Sequence, residues 1–156
     1  MWGGLRARFF GVLALAALVA GCGGSSYTKS DFIARADAIC TSTLRQARAL
    51  APPASTSGAA LSDYLGKLVP LVDSEANQLR ALKRPADTAH DGATLTAYFA
   101  ALSHVVAAYR QLRAAAARGD DQTVTDVEAA LNANPVDSLA ASYGLKTCGT
   151  PGSTSV

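Results

Sequence analysis

The sequence is poor in the residues that most often carry chemistry. Among 156 residues there are 2 histidines and 3 cysteines, and only 6% of the chain is aromatic. It contains no Cys-x-x-Cys, Gly-x-Ser-x-Gly or Glu-x-x-His segment. These patterns mark dithiol redox sites, hydrolase nucleophile elbows and di-iron bundles, respectively. Their absence predicts a non-enzymatic protein that uses no cofactor.

Neither basic nor acidic residues are in clear excess. The 14 basic residues exceed the 12 acidic ones only because of Arg6 and Arg8. Without these two arginines, 12 basic residues face 12 acidic residues, and the two signs alternate along the chain. Nucleic-acid surfaces need clustered Lys and Arg. We therefore expect no nucleic-acid partner.

The two histidines do not form a metal site in this pattern. His90 and His104 are separated by 14 residues, which is about 21 Å along a helix and too far for one ion. A site made only of Asp87, His90 and Asp91 would have fewer ligands than a bound metal ion usually has. The sequence therefore predicts no metal.

The carboxylates come in pairs that are close in sequence. Asp73 with Glu75, and Asp120 with Asp121, cannot face each other across a substrate, as acid–base catalysis would require. Helix capping or solvation is the simpler interpretation of all four.

The chain has a single long hydrophobic run, which lies near its start. From Phe9 to Ala20 there is no charge, and the basic residues Arg6 and Arg8 precede this run. Its 12 or so residues are fewer than the roughly 17 to 25 that a transmembrane helix requires. The layout indicates a signal peptide over residues 1–21.

The hydrophobic run ends in Leu18-Val19-Ala20-Gly21-Cys22, which resembles the lipobox of bacterial lipoproteins. The resemblance implies cleavage before Cys22 and acylation of its sulfur. Several acyl chains hold a protein on a membrane where one chain binds only weakly. We therefore expect a lipid-anchored protein on the outer, extracytoplasmic face of the cell membrane.

The segments after the signal peptide differ in composition. Residues 22–30 are rich in Gly and Ser and predict a flexible tether. Residues 150–156 are rich in Thr, Pro, Gly and Ser and predict a disordered tail. Between them, residues 31–149 carry apolar residues at helical spacing.

Four amphipathic segments occur in residues 31–149, with a last helical turn near Val136 to Tyr143. The clearest carries Leu95, Phe99, Leu102, Val106, Tyr109, Leu112 and Ala116 on one face. No stretch of alternating polarity indicates a strand. The pattern predicts an all-α, up-and-down bundle of about four helices.

Two cysteines remain once Cys22 is acylated. Cys40 lies on the apolar stripe of the first helix, and Cys148 follows the last helical turn. In an oxidising compartment an even number of cysteines usually pairs. We expect a Cys40–Cys148 disulfide that closes the bundle.

The two cysteine-bearing segments resemble those of small uncharacterised lipoproteins from high-GC Gram-positive bacteria. The matching pieces are Asp31-Phe32-Ile33-Ala34-Arg35-Ala36-Asp37-Ala38-Ile39-Cys40 and Ala141-Ser142-Tyr143-Gly144-Leu145-Lys146-Thr147-Cys148. The resemblance covers about a quarter of the mature chain. It implies a helical fold with paired cysteines and no particular activity.

Four larger aromatic residues leave two functional hypotheses open. Tyr64, Tyr98, Phe99 and Tyr109 are explained by core packing or as the lining of an apolar groove between helices. The first hypothesis is an interaction or scaffolding module that meets another envelope protein. The alternative is a carrier or sensor of a small apolar ligand. An open apolar groove of several hundred Å³ favours the alternative.

Overall fold

All regular secondary structure in the described part of the chain is α-helical. The computed structural model describes residues 27–86 and 89–150. Within these ranges there are five helices and no strand: α1 (Lys29–Arg48), α2 (Gly58–Ala81), α3 (Ala89–Arg118), α4 (Asp121–Asn132) and α5 (Val136–Tyr143). The predicted all-α bundle is confirmed, and its expected last turn is the short helix α5. The predicted signal peptide, Cys22 and the predicted tail beyond residue 150 lie outside the described residues.

The first helix begins inside the segment that the sequence assigns to the tether. Thr28 caps α1: its Oγ1 accepts the backbone N–H of Asp31 at 3.1 Å, and its own N–H donates to the Asp31 carboxylate at 2.9 Å. This reciprocal pair satisfies two backbone donors at the helix start. Tyr27 is half-buried and packs against the core. Residues 27–30 of the predicted tether are therefore part of the bundle.

Helix α3 forms the centre of the bundle. It packs against α2, α4 and α5, while α1 packs against α2. All seven residues of its predicted apolar stripe are buried. Four further α3 residues are also buried, because three partner helices need more than one stripe: Tyr98, Ala101, Val105 and Ala115.

Aromatic contacts hold the start of α1 against α5. The rings of Phe32 and Tyr143 meet edge to face with centroids 5.7 Å apart. Lys29 Nζ lies 4.6 Å from the centre of the Tyr143 ring and 2.8 Å from the Asp91 carboxylate on α3. A partly buried cation on a ring face adds roughly 0.5 to 2 kcal/mol.

No described helix combines the length and apolarity needed to cross a membrane.

Candidate functional site

A cleft opens at the end of the bundle where α1 stops. Helix α1 ends at Arg48, and the loop to α2 turns back through Pro52 and Pro53. Proline lacks the N–H that would continue a helix. The end of α1, the loop, α2, α3 and α4 border a volume of about 530 Å³. The lining consists of Ala47, Arg48, Leu50, Pro52, Pro53, Thr56, Leu61, Tyr64, Leu65, Tyr109, Leu112, Glu128, Leu131 and Asn132.

The lining of the cleft is mainly apolar, with polar groups at its mouth. Its leucines include Leu65 and Leu112, which are almost fully buried. Arg48 and Glu128 are exposed, and within the described ranges neither forms an ion pair with another residue. Burial raises the pKa of the half-buried Tyr64. The cleft can therefore hold the apolar part of a ligand, while polar groups lie at its opening.

The four aromatic residues proposed as a groove lining do not lie together. Tyr64 and Tyr109 line the cleft. Tyr98 and Phe99 are not part of its lining, since Tyr98 precedes Tyr109 by 11 residues, or about 16 Å of helix. Tyr98 is fully buried, and the Phe99 ring lies 5.0 Å below the Arg84 guanidinium. Only two of the four therefore belong to one site.

A second cluster surrounds Glu75 in the middle of the bundle. The prediction that Glu75 is a solvated or capping carboxylate is wrong, because this side chain is only 4% exposed. Its neighbour Asp73 does reach the surface, where it pairs with Arg110 at 2.9 Å. Glu75 is three residues after Val72 and four before Leu79. This spacing on the apolar face of α2 is the sequence signal that indicates burial.

The carboxyl group of Glu75 is surrounded by groups from two other helices. Its Oε1 lies 3.6 Å from the Cys40 sulfur on α1. The Thr43 hydroxyl, also on α1, donates a hydrogen bond to it. Burial raises the pKa of Glu75 from 4.5 to about 7, and the Thr43 bond opposes this rise. Tyr98 on α3 has a raised pKa because of burial and then because of the nearby Glu75 charge.

The Tyr98 hydroxyl has no hydrogen-bond partner among the described residues. A buried hydroxyl in this state costs about 1 to 3 kcal/mol. The polar cluster at Glu75 is therefore only partly satisfied by its own side chains.

The disulfide joins α1 to the segment that follows α5. Cys40 and Cys148 are bonded, with Cα atoms 5.4 Å apart, as expected. The same segment is held by Asp37, whose carboxylate accepts the backbone N–H groups of Lys146 at 3.1 Å, Thr147 at 2.8 Å and Cys148 at 3.4 Å. Hydrogen bonds to an ionised acceptor are stronger than neutral ones. Asp37 therefore docks Cys148 beside Cys40.

The histidines lie apart from both clusters. His90 and His104 are exposed, and Asp87 falls outside the described residues. In residues 27–86 and 89–150 no three His, Cys, Asp or Glu side chains come together in a way that could hold a metal ion.

No protein-family model, curated protein or solved structure matches this chain. The candidate sites therefore depend on their own geometry.

Proposed function

We propose that this chain is a lipid-anchored envelope lipoprotein whose bundle binds a small apolar molecule in the cleft at the end of α1. The observation that supports this function is the cleft itself, at about 530 Å³. Ligand pockets of proteins span about 300 to 1,000 Å³ and are mainly apolar. The role is binding rather than catalysis.

The mouth of the cleft favours a ligand with an apolar body and a polar end. Arg48 and Glu128 present charges of opposite sign there, and Asn132 adds a donor and an acceptor. Such a mouth does not favour a strongly charged ligand of either sign, because one of the two side chains repels it. An uncharged or zwitterionic amphiphile meets both charges without this penalty.

The proposed anchor and the cleft belong to opposite ends of α1. The helix has 20 residues and is about 30 Å long. The five Cα–Cα steps from Cys22 to Tyr27 span at most about 18 Å. A domain attached through Cys22 would thus present the cleft away from its point of attachment.

The anchor is tested by replacing Cys22 with Ala and measuring incorporation of labelled fatty acid. The wild-type protein should be labelled and remain with the membrane fraction, and Cys22→Ala should lose both properties. Equal labelling and equal membrane association of the two proteins would contradict the anchor.

The cleft is tested with the uncharged apolar fluorophore N-phenyl-1-naphthylamine. Leu131 is half-buried and lines the cleft, so Leu131→Trp should fill the volume without disturbing the core. The wild type should bind the fluorophore saturably, and Leu131→Trp should weaken binding about tenfold or more, since tenfold corresponds to about 1.4 kcal/mol.

Leu139→Trp is the matched control for this experiment. Leu139 is a half-buried leucine on α5 that does not line the cleft. It should leave fluorophore binding unchanged. If the wild type binds no fluorophore, or Leu131→Trp and Leu139→Trp bind equally well, the ligand-binding function is wrong and the scaffolding hypothesis is the better one.

A further inference from the structure

The two sulfur atoms of the disulfide have different neighbours. Cys40 Sγ lies 3.6 Å from the Glu75 carboxyl group, whereas Cys148 Sγ lies 3.5 Å from the backbone carbonyl oxygen of Ala36. A carboxylate can take a proton at neutral pH, and a peptide carbonyl cannot. Before the disulfide forms, the Cys40 thiol therefore faces a group that can accept its proton.

Hydrogen bonds, in addition to the disulfide, position the segment that carries Cys148. The three hydrogen bonds from residues 146–148 to Asp37 bring this segment against α1. Cys148 lies in this short segment after α5, whereas Cys40 lies within the helix α1. Undocking of the segment therefore exposes Cys148 to an external oxidant without unfolding α1.

We propose that Glu75 acts as the internal proton acceptor for the Cys40 thiol when the Cys40–Cys148 disulfide closes. The oxidant is a disulfide compound, R–S–S–R, that first forms a mixed disulfide with Cys148 and releases one R–SH. Asp37 then docks this segment and places the mixed disulfide next to Cys40.

The closing step is balanced within these groups. The Cys40 sulfur attacks the Cys148 sulfur while its thiol proton passes to the Glu75 carboxylate, which acts as a general base. The Cys40–Cys148 bond forms as the Cys148–S–R bond breaks, and R–S⁻ leaves with the electron pair. R–S⁻ takes up the proton as R–SH, which returns Glu75 to its ionised form. The two cysteines are oxidised, and the external disulfide is reduced.

The charge of Glu75 depends on its burial and on one hydrogen-bonding neighbour. Thr43 on α1 donates a hydrogen bond to it. Burial and then the Glu75 charge raise the pKa of Tyr98 on α3, to which Asp137 of α5 and Asp37 of α1 add and which Arg80 of α2 opposes. With a pKa of about 7, Glu75 is a stronger base than an exposed glutamate and is still largely ionised above pH 7.

The test measures closure in the full chain with Cys22→Ser, so that Cys40 and Cys148 are the only thiols. The reduced protein is mixed with oxidised glutathione between pH 6 and 9 and quenched with acid. Intact mass then separates the mixed disulfide from the closed form. Sucrose keeps the reduced chains folded, and circular dichroism checks that their helix content is equal.

With Glu75 present, the closure rate should be nearly constant above pH 7.5 and fall only below about pH 7. In Glu75→Gln the rate should fall about tenfold per pH unit below the ordinary thiol pKa of about 8.5. At pH 7 the variant should therefore close about thirtyfold more slowly than it does itself above pH 8.5, whereas the chain with Glu75 should keep about half of its plateau rate.

Thr43→Val provides a second, independent variant. It keeps the carboxyl group but removes the hydrogen bond that lowers the Glu75 pKa, so the inflection of the rate profile should move to higher pH. Identical profiles for the chain that keeps Glu75 and for Glu75→Gln would overturn the proposal. A decrease by the same factor at every pH would overturn it too, because that pattern reflects packing alone. The proposal would also be overturned if the inflection of the rate profile stayed at the same pH in Thr43→Val.

Discussion

Burial of the Glu75 carboxyl group ties the stability of the bundle to pH. The folded pKa of about 7 lies above the ordinary value of 4.5, so the folded state binds the proton more tightly than the unfolded state. The stability that this proton contributes is present below pH 4.5 and is lost as pH rises through 7. The shift corresponds to about 3 kcal/mol.

Glu75→Gln should remove this pH dependence. Gln cannot ionise and can still accept the Thr43 hydrogen bond. Between pH 4.5 and pH 8 the wild type should therefore lose about 3 kcal/mol of its free energy of unfolding relative to the variant. Urea unfolding of both proteins at the two pH values measures the difference. Asp63→Asn on the same helix is the control, since Asp63 is exposed. Parallel pH dependence of wild type and Glu75→Gln would show that Glu75 is not responsible.

At the level of elements, the segment after α5 depends on Asp37 as well as on the disulfide. Helix α5 ends at Gly144, which adopts a φ of 104°. This left-handed conformation suits glycine and lets the chain leave the helix sharply. Leu145 and Cys148 are then buried. The backbone of this segment donates three hydrogen bonds to one carboxylate. These bonds, besides the disulfide, hold Cys148 next to Cys40.

Asp37→Ala should loosen this segment while leaving α3 intact. The N–H groups of residues 146–148 lose their acceptor, and the cost should be about 1.5 to 3 kcal/mol, the range for hydrogen bonds to a charged group. Amide hydrogen exchange should become at least tenfold faster at these residues, even with the disulfide intact. Asp126→Ala on α4 is the matched control, because among the described residues the Asp126 carboxylate accepts only from Gln122. Unchanged protection at residues 146–148 would mean that Asp37 does not hold the segment.

The helices were predictable from the sequence because their apolar spacing and caps are local features. Thr28 with Asp31 marks the start of α1, and Gly144 marks the end of α5. Burial of Tyr98 was harder to predict, since it depends on how many helices surround α3. Glu75 was missed because its residue type suggests solvent although its position is on the apolar face. The cleft was only partly predictable: Tyr64 and Tyr109 belong to it, but its volume depends on how the loop from α1 to α2 folds back.

On the scale of the whole molecule, the Cys40–Cys148 bond spans 108 residues of the chain. A link of this span restricts the unfolded chain strongly, and the loss of a native disulfide typically costs about 2 to 5 kcal/mol. The apolar faces of the helices pack without the bond. The disulfide therefore contributes to stability more than to helix formation.

Cys148→Ala should lower the free energy of unfolding by about 2 to 5 kcal/mol and preserve the helical circular dichroism spectrum. Urea unfolding followed by circular dichroism measures both properties. The double variant Cys40→Ala/Cys148→Ala should be similarly destabilised. An unchanged unfolding midpoint would contradict a stabilising disulfide.

Native mass spectrometry of protein gently extracted from cell membranes tests the proposed function most directly. The wild-type mass should correspond to a chain that begins at Cys22, carries acyl groups, has no free thiol and retains a small bound molecule. Leu131→Trp should keep the same acylated chain but lose the bound molecule, because the tryptophan occupies the cleft. A wild-type protein that still carries residues 1–21, or that holds no small molecule under conditions in which Leu139→Trp and wild type are both folded, would contradict the proposal of a lipid-anchored ligand-binding bundle.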